Sequence, residues 1–145
     1  MNISFESRLP INDCLYLLGE NFTPDELYSR VDIRQYAQKL SEKAFFLIAD
    51  DFGRPQGFVA YYLNVEQSFV FITRIAVNEP FRHQGLGSQM IESLSNYYSN
   101  NLEAIELEVE KTNEVARRFY SNMGFCIKED RVTKLLMRRE LNGAK

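Results

Sequence analysis

The chain lacks the features that mark secreted, zinc-binding and membrane-spanning proteins. It has only two cysteines, Cys14 and Cys126, which lie far apart and lack the C-x-x-C spacing of a redox or zinc site. A disulfide between them therefore has no support from the sequence. Residues 1–10 have neither a cationic region nor an apolar core, and no run of about 18 apolar residues follows. We therefore expect a cytoplasmic protein that neither carries a secretory signal nor spans a membrane.

A strong excess of one charge is absent as well. The net charge is −3, the isoelectric point is about 5.3, and no basic stretch is long enough to follow a phosphate backbone. We therefore expect no nucleic-acid partner. Apolar residues are plentiful, since 45% of the 145 residues are hydrophobic and 11 Phe and 8 Tyr supply large side chains. Such a chain can bury a core without cross-links, and its length predicts a single domain over residues 1–145.

The first third of the chain predicts one strand and a broken helical segment. Residues 3–9 alternate apolar and polar side chains, as in a half-buried strand, and Pro10 ends the pattern. Residues 15–19 (LYLLG) indicate a short helix that ends at its glycine, and 23–26 (TPDE) has the features of a second helix start. A third helix is predicted from Asp32, because apolar residues follow it at helical spacing, namely Ile33, Tyr36, Ala37, Leu40 and Ala44.

The rest of the chain alternates strands with helices. Apolar runs at 45–50 and 57–64 flank a turn over 51–56 and predict a hairpin. The further predicted elements are a strand over 68–77, a helix over 86–98, a strand over 104–110, a helix over 114–123, and strands over 126–132 and 134–141. The helix over 86–98 has one apolar face, formed by Leu86, Met90, Ile91, Leu94 and Tyr97.

This order of elements predicts the fold class. Helices alternate with strands only in the second half of the chain, which argues against a doubly wound parallel sheet. We therefore expect a mixed α/β (α+β) fold, with a mixed central sheet of about six to seven strands and helices on both faces.

The most informative motif lies between a predicted buried strand and an amphipathic helix. It reads Arg82-His83-Gln84-Gly85-Leu86-Gly87-Ser88. Glycine permits close backbone approach, and the first amides of a helix present unpaired N–H groups at the positive end of its dipole. Such a loop can bind a pyrophosphate, with Arg82 and Ser88 as additional donors. The alternative is an ordinary strand-to-helix turn. The motif lacks the lysine of a nucleotide-binding P-loop.

A second motif lies on the last predicted helix. It comprises Asn113, Ala116, Phe119, Tyr120 and Gly124 in the segment 113–125. Each residue also has an ordinary structural interpretation. Asn113 is a typical N-cap, Ala116 and Phe119 have core spacing, Tyr120 can be a half-buried packing residue, and Gly124 is a typical helix-ending glycine.

Taken in this order, the two motifs resemble those of the GNAT superfamily of acyl-CoA-dependent N-acyltransferases. The resemblance covers residues 45–127, and the termini match only in the order of their elements. It implies that the loop wraps the pyrophosphate of coenzyme A and that the preceding strand end offers backbone groups to the pantetheine arm and the acetyl carbonyl. It also implies an Asn near the arm and a Tyr near the departing sulfur. The implied acetyl-CoA contacts are Ile75, Ala76, Val77, Arg82, His83, Gln84, Gly85, Leu86, Gly87, Ser88, Asn113 and Tyr120.

One residue departs from the pattern of the family. His83, the only histidine, stands where the relatives commonly have glycine. Because a side chain there need not block a backbone amide, we expect the loop to keep its affinity for pyrophosphate. A lone histidine in a loop is usually solvated, so we assign it no acid or base role.

The strand over 104–110 (AIELEVE) supplies the candidate base. Its glutamates 106, 108 and 110 fall on one face, because side chains alternate along a strand. Glu108 matches the position at which some relatives that acetylate protein N-termini carry a base, and the resemblance implies Tyr120 as the acid. Repulsion among the three carboxylates would make one of them a better proton acceptor. The alternative for Glu106 and Glu110 is a solvated carboxylate surface.

The acceptor amine is not specified by the sequence. The resemblance implies an acceptor pocket built from residues 12–43 and 126–141, and aromatic or acidic residues that suit an amine are Phe22, Tyr28, Tyr36, Asp50, Asp51, Tyr61 and Tyr62. We therefore expect an acetyltransferase that uses acetyl-CoA, no metal, and the primary amine of a small molecule or of a peptide or protein N-terminus. Whether the chain forms a homodimer stays open. The alternatives are a non-catalytic acyl-CoA-binding regulatory module and, less favoured, a nucleotide-binding domain.

Overall fold

A computed structural model of the chain describes residues 1–19, 32–82 and 84–141. The predicted helix start at 23–26 and the acceptor-pocket candidates Phe22 and Tyr28 lie outside these residues. The same is true of His83, so its predicted place in the loop stays a prediction.

The described elements follow the predicted order. The strands are β1 (Asn2–Glu6), β2 (Phe45–Asp51), β3 (Arg54–Asn64), β4 (Phe69–Val77), β5 (Ala104–Glu110), β6 (Cys126–Asp130) and β7 (Lys134–Glu140). The α-helices of the described residues are α1 (Ile11–Leu17), α2 (Ile33–Lys43), α3 (Leu86–Tyr98) and α4 (Glu114–Asn122), and Glu79–Phe81 forms one 3₁₀ turn. The predicted start of α2 is confirmed, because the Asp32 side chain accepts a hydrogen bond from the Gln35 amide at 3.0 Å.

The strands form one mixed sheet of seven strands in the order β1-β2-β3-β4-β5-β7-β6. β1 with β2 and β2 with β3 are antiparallel, β4 with β5 is parallel, and β7 is antiparallel to both β5 and β6. The parallel ladder runs from Phe69 opposite Ala104 to Ile72 opposite Leu107. Glu108 follows the last residue of that ladder, and Leu136 of β7 lies opposite it. The predicted fold class is therefore confirmed.

The contacts of the chain divide it into two compact units. The first comprises residues 1–62 and 74–91, and the second comprises 63–73 and 92–145. In the first unit, α1 and α2 cover one face of the strands, with a core of Cys14, Leu17, Leu18, Ala37, Leu40, Ala44, Phe46, Phe58, Ala60 and Ala76. Gly57 of β3 faces the opposite side, where a Cβ added to it would lie 3.1 Å from atoms of Leu86 and of Met90 in α3. Helices thus cover both faces, as predicted.

The second unit is built on β5 and β7. Ala104, Ile105, Leu107 and Val109 of β5 are buried, as are three consecutive residues of β7, Leu135 to Met137. An ion pair joins β7 to α3 in this unit. Arg139 Nη1 of β7 donates to Glu92 Oε1 of α3 at 2.8 Å.

Two local predictions were wrong. The predicted turn over 51–56 is only two residues long, because Phe52 and Gly53 both have positive φ, at 53° and 79°, and the chain enters β3 at Arg54. Tyr97 was predicted on the apolar face of α3, but it is 52% exposed and packs edge-on against the neighbouring Tyr98 instead of entering the core.

Candidate functional site

The loop between β4 and α3 is held by its own hydrogen bonds. Arg82 Nε donates to the Val77 carbonyl at 2.9 Å, and Gln84 Nε2 donates to the Pro80 carbonyl at 2.9 Å. Asn78 anchors the start of the loop to β3, because its amide N–H and its Nδ2 both bond to Gln56, each at 2.8 Å. These contacts use only Nε of the Arg82 guanidinium, and Arg82 as a whole is exposed.

Gly85 turns the loop into the helix. Its φ is +80°, a conformation that glycine adopts without strain, and an added Cβ would meet no heavy atom within 4 Å. The Gln89 amide bonds to the Gly85 carbonyl at 3.0 Å, which begins the hydrogen-bond series of α3. The amides of Leu86, Gly87 and Ser88 precede that series, so they lie at the positive end of the helix dipole. The space at Gly85 and these amides together fit an anion.

Leu86 contributes to this region through its backbone alone. Its side chain is buried, and its Cδ2 lies 3.1 Å from the position of a Cβ added at Gly57. The sequence did not single out Gly57, which allows β3 to approach the first turn of α3 closely. An isolated glycine inside a predicted strand is the signal that could have identified it.

The strand end before the loop has the predicted location. Ile75, Ala76 and Val77 are the last three residues of β4. Ala76 is buried in the core of the first unit, and the Val77 carbonyl accepts the hydrogen bond from Arg82. The backbone of β4 therefore leads directly into the loop that contains Arg82 and Gly85.

Asn113 caps α4 in the second unit. Its Oδ1 accepts the Ala116 amide at 3.1 Å, so the structural interpretation of this residue is confirmed. The cap uses the oxygen of the side chain and leaves its Nδ2 as a donor. The helix ends at Asn122, and Gly124 follows its C-cap with a φ of +90°, in agreement with the sequence pattern.

Tyr120 is a buried aromatic residue near the end of α4. Its ring packs edge-on against Phe119 at 5.2 Å and against Phe125 at 5.6 Å, measured between ring centroids. The Tyr120 carbonyl accepts the Phe125 amide at 3.0 Å, which holds the helix end and the following residue together. The ring is therefore fixed by packing on two sides, and a change that keeps the ring should keep this packing.

Glu108 of β5 is bound to Arg131, a residue that the sequence did not single out. Arg131 Nη1 donates to Glu108 Oε2 at 2.6 Å, and its Nε donates to Glu129 Oε1 at 3.0 Å. The hydrogen bonds from Arg131 and its charge hold the pKa of Glu129 below the ordinary value. Hydrogen bonds to Glu129 and then to Glu108 raise the pKa of Arg131, which stays a cation.

The alternative interpretation of the β5 carboxylates, a solvated surface, is wrong for Glu106. Its side chain is only 3% exposed, and Oε2 accepts from Lys128 Nζ at 2.7 Å and from Arg138 Nη1 at 2.8 Å. A register shift between Ile127 and Glu129 makes Lys128 a bulge residue, which changes the direction of its side chain. The cations on Glu106 and Glu108 offset the repulsion among the carboxylates on which the sequence argument relied.

The described acceptor-pocket candidates fall in the first unit. Tyr61 is buried and its ring stacks on Phe45 with centroids 5.9 Å apart, whereas the Lys39 ammonium lies 5.3 Å from the ring centroid of Tyr62. Asp50 has one buried carboxylate oxygen, Oδ1, with no hydrogen-bond partner. These contacts assign no acceptor, and the roles of Tyr36, Asp50 and Asp51 stay predictions.

The cysteines and the candidate metal ligands are two further groups of side chains among the described residues. Cys14 and Cys126 are both free thiols, and burial, then the nearby Asp13, raises the pKa of Cys14 to about 11. Within residues 1–19, 32–82 and 84–141, no cluster of three or more His, Cys, Asp or Glu side chains has the arrangement of a metal site. None of the helices in the same ranges is long and apolar enough to cross a membrane.

The structure places the predicted site residues in both units. Residues 75–88 belong to the first unit, and Glu108, Asn113 and Tyr120 belong to the second. Within the first unit, Val77 and Arg82 are in contact through a hydrogen bond. Within the second, Asn113 and Tyr120 lie at opposite ends of α4, and Glu108 lies on β5, before that helix in the chain.

Comparisons with known proteins identify relatives of this chain in sequence and in structure. A sequence relative, an uncharacterised N-acetyltransferase of Methanocaldococcus jannaschii, is 34% identical over 82 residues, which cover 55% of this chain and 51% of that protein. The match thus spans about half the length of the relative.

Two solved structures have the same fold. The PaiA N-acetyltransferase of Thermoplasma acidophilum in complex with coenzyme A has a TM-score of 0.74 at 18% identity, over 97% of this chain and 99% of that one. The ribosomal-protein-S18-alanine N-acetyltransferase of Escherichia coli has a TM-score of 0.73 at 18% identity, over 97% of this chain and 94% of that one. The family model of the GNAT acetyltransferases matches residues 11–125. The chain therefore belongs to the GNAT family of acetyltransferases.

Proposed function

We propose that the protein transfers an acetyl group from acetyl-CoA to a primary amine of a small molecule or of a peptide or protein N-terminus. The observation that carries this proposal is the loop at residues 82–88, which leads into the positive end of α3 in a chain that belongs to an acetyltransferase family. The solved PaiA structure, which contains coenzyme A, supports acetyl-CoA as the acyl donor. The proposed location is the cytoplasm, and the proposed extent of the catalytic domain is residues 1–145.

The loop binds the pyrophosphate of acetyl-CoA in this proposal. The amides from Leu86 to Ser88 point along the helix dipole, and Gly85 leaves space beside them for a phosphate oxygen. The terminal nitrogens of Arg82 supply positive charge, while its Nε keeps the loop attached to Val77. The resemblance also implies His83 and Gln84 as contacts of acetyl-CoA. In the first unit, the backbone of Ile75 to Val77 at the end of β4 is the proposed contact of the pantetheine arm. The resemblance also implies Asn113 as a contact of this arm.

Glu108 is the proposed base. An acceptor amine arrives as an ammonium ion, which has no lone pair with which to attack. Glu108 takes one proton from it, and the neutral nitrogen then forms a bond to the thioester carbonyl carbon. Glu108 is 29% exposed, so an acceptor from solvent can reach its carboxylate, whereas Glu106 is 3% exposed and bound to two cations. Exposure, together with the resemblance to relatives with a base at this position, supports Glu108.

Tyr120 is the proposed acid. When the carbon–sulfur bond breaks, the electron pair stays on sulfur and the thiolate of coenzyme A takes the phenolic proton. The new amide nitrogen gives up its extra proton, which restores the Tyr120 hydroxyl through solvent, and Glu108 then releases its proton to solvent. The net products are an amide, coenzyme A with a free thiol, and one proton. The packing of the ring between Phe119 and Phe125 supports a fixed donor.

An amine panel tests this function. Acetyl-CoA is incubated with small amines, amino sugars, amino acids and peptides with free N-termini, and free thiol and acetylated product are both measured. We expect one class to give equal amounts of thiol and acetylated amine. Binding of acetyl-CoA by calorimetry without turnover of any class would instead identify a non-catalytic acyl-CoA-binding module. Binding of ATP but not of coenzyme A would contradict both the acetyltransferase and the acyl-CoA-binding module.

A further inference from the structure

Arg131 divides its guanidinium between two carboxylates, those of Glu108 and Glu129. Nη1 contacts Glu108, whereas Nε and Nη2 contact Glu129 at 3.0 Å and 3.4 Å. Different nitrogens therefore serve the two partners. Loss of the Glu108 contact leaves both contacts to Glu129 in place, so Arg131 has a partner whether or not it is bound to Glu108.

The backbone of Arg131 is fixed while its side chain is accessible. The Arg131 amide donates to the Lys134 carbonyl at 2.9 Å, which closes the turn between β6 and β7. The side chain is 42% exposed and that of Glu108 is 29% exposed. Ion pairs this accessible to solvent are weak, because water and other ions compete for both groups. A second cation can therefore replace Arg131 on Glu108.

The pair on Glu106 shows the contrasting case. That carboxylate is almost fully buried and bound to two cations, which leaves no route for exchange. The Glu108 pair, in contrast, joins a partly exposed carboxylate to a cation that also contacts Glu129. This combination suits a site at which a cationic ligand must enter.

We propose that Arg131 occupies the position on Glu108 that the ammonium group of the acceptor takes, and that Glu129 retains Arg131 when the two cations exchange. No covalent bond changes in this step. Glu108 keeps a cationic partner before and after it, and acceptors without a positive charge cannot displace Arg131. Arg131 is thus a specificity-determining residue for cationic acceptors. The inference rests on the proposed role of Glu108 as the base.

Kinetics of two variants test the exchange, with the acceptor that the amine panel identifies. In Arg131→Gln the acceptor no longer competes with a guanidinium, so its KM should fall several-fold while kcat changes little. In Glu129→Gln the guanidinium has only Glu108 to bind, so the KM should rise. Arg139→Gln, which removes a surface pair with Glu92, is the matched control and should leave KM unchanged. Changes in the same direction for the two variants, unchanged KM in both, or a loss confined to kcat would overturn the exchange.

A measurement without turnover separates this inference from the proposed function. The Nε–H signal of Arg131 is followed by nuclear magnetic resonance in the full chain during titration with ethylammonium chloride. We expect a saturable change at millimolar concentrations, absent in Glu108→Gln and larger than the change caused by sodium chloride at the same ionic strength. The Arg139 signal serves as the internal control. Equal effects of the two salts would contradict the exchange even if amines are acetylated, whereas a failed amine panel would contradict only the function.

Discussion

The Lys128 ammonium lies 2.7 Å from the Oε2 atom of the buried Glu106 carboxylate. The bulge in β6 at Lys128 allows this contact, and Arg138 of β7 reaches the same oxygen. Glu106 therefore links the three strands β5, β7 and β6. Because Glu108 lies two residues further along β5, this ion cluster also fixes the strand that carries the proposed base.

We expect Glu106→Ala to destabilise the fold. Removing one partner of a buried ion pair leaves uncompensated charge, which costs about 3–5 kcal/mol in general. Lys128 is 45% exposed and can regain water, so we expect a loss near the lower limit, about 3 kcal/mol. Urea unfolding measures it. Glu140→Ala removes only a mostly exposed partner of Arg138 and should cost less than about 1 kcal/mol. Equal losses in the two variants would show that burial does not set the cost.

We expect Gly85→Asp to weaken acetyl-CoA binding much more than folding. A carboxylate at this position repels a pyrophosphate, and a charge-assisted contact is worth about 1.5–3 kcal/mol, so the dissociation constant should rise at least about tenfold. Gly53→Asp is a matched control, because Gly53 has nearly the same φ, +79° against +80°, and the same open surroundings. Calorimetry on both variants decides the assignment. An equal affinity in the two would place the pyrophosphate elsewhere.

Arg82→Glu should have a similar effect on acetyl-CoA binding, for a different reason. The substitution reverses the charge beside the loop and also removes the Nε bond to the Val77 carbonyl. We expect at least about a tenfold loss of affinity by calorimetry, with added salt reducing the difference from the wild type. A folded variant with unchanged affinity would remove Arg82 from the binding site.

Tyr120→Phe should lower kcat and leave the dissociation constant of acetyl-CoA nearly unchanged. The ring keeps its contacts with Phe119 and Phe125, and only the proton donor is lost. Tyr97→Phe removes the hydroxyl of a tyrosine that is 52% exposed and serves as the control. Steady-state kinetics and calorimetry of the two variants give the comparison. Full activity of Tyr120→Phe would return Tyr120 to a packing role.

The buried Cys14 thiol predicts a loss of stability in alkali. Its pKa is raised from 9.0 to about 11, so the unfolded chain ionises at lower pH than the folded protein. The contribution of the neutral Cys14 thiol to the free energy of unfolding is complete below pH 9 and is lost as the pH rises through about 11. Unfolding free energies measured across this interval should fall less steeply in Cys14→Ala than in Cys126→Ala. The same slope in both variants would show that Cys14 is not the group responsible.

Much of the fold could be predicted because the apolar periodicity is strong. The strand at β5 and the helices α3 and α4 match the predicted ranges to within one residue. The glycine turn at Gly85 before α3 and the cap at Asn113 were also predicted, because both depend on residues close together in the sequence. What was predicted wrongly depended on packing, as for Tyr97, or on the geometry of a turn, as for Phe52.

The ion pairs of the site could not be predicted from the sequence. Arg131 reaches Glu108, 23 positions earlier, because the chain folds back through the β6–β7 hairpin. The burial of Glu106 depends on the sheet order, which places β7 between β5 and β6. A pattern of alternating glutamates contains neither piece of information. A solvated surface and a buried ion cluster therefore look the same at the level of the sequence.

The most direct test of the proposed mechanism compares Glu108→Gln with Glu110→Gln. Both substitutions remove one negative charge from the same face of β5, but only the first removes the proposed base. We expect kcat/KM for the amine acceptor to fall by roughly 10²–10⁴ in Glu108→Gln and by much less in Glu110→Gln. Equal losses that shrink in high salt would mean that the carboxylates only attract a cationic acceptor. Wild-type activity in Glu108→Gln would contradict the account.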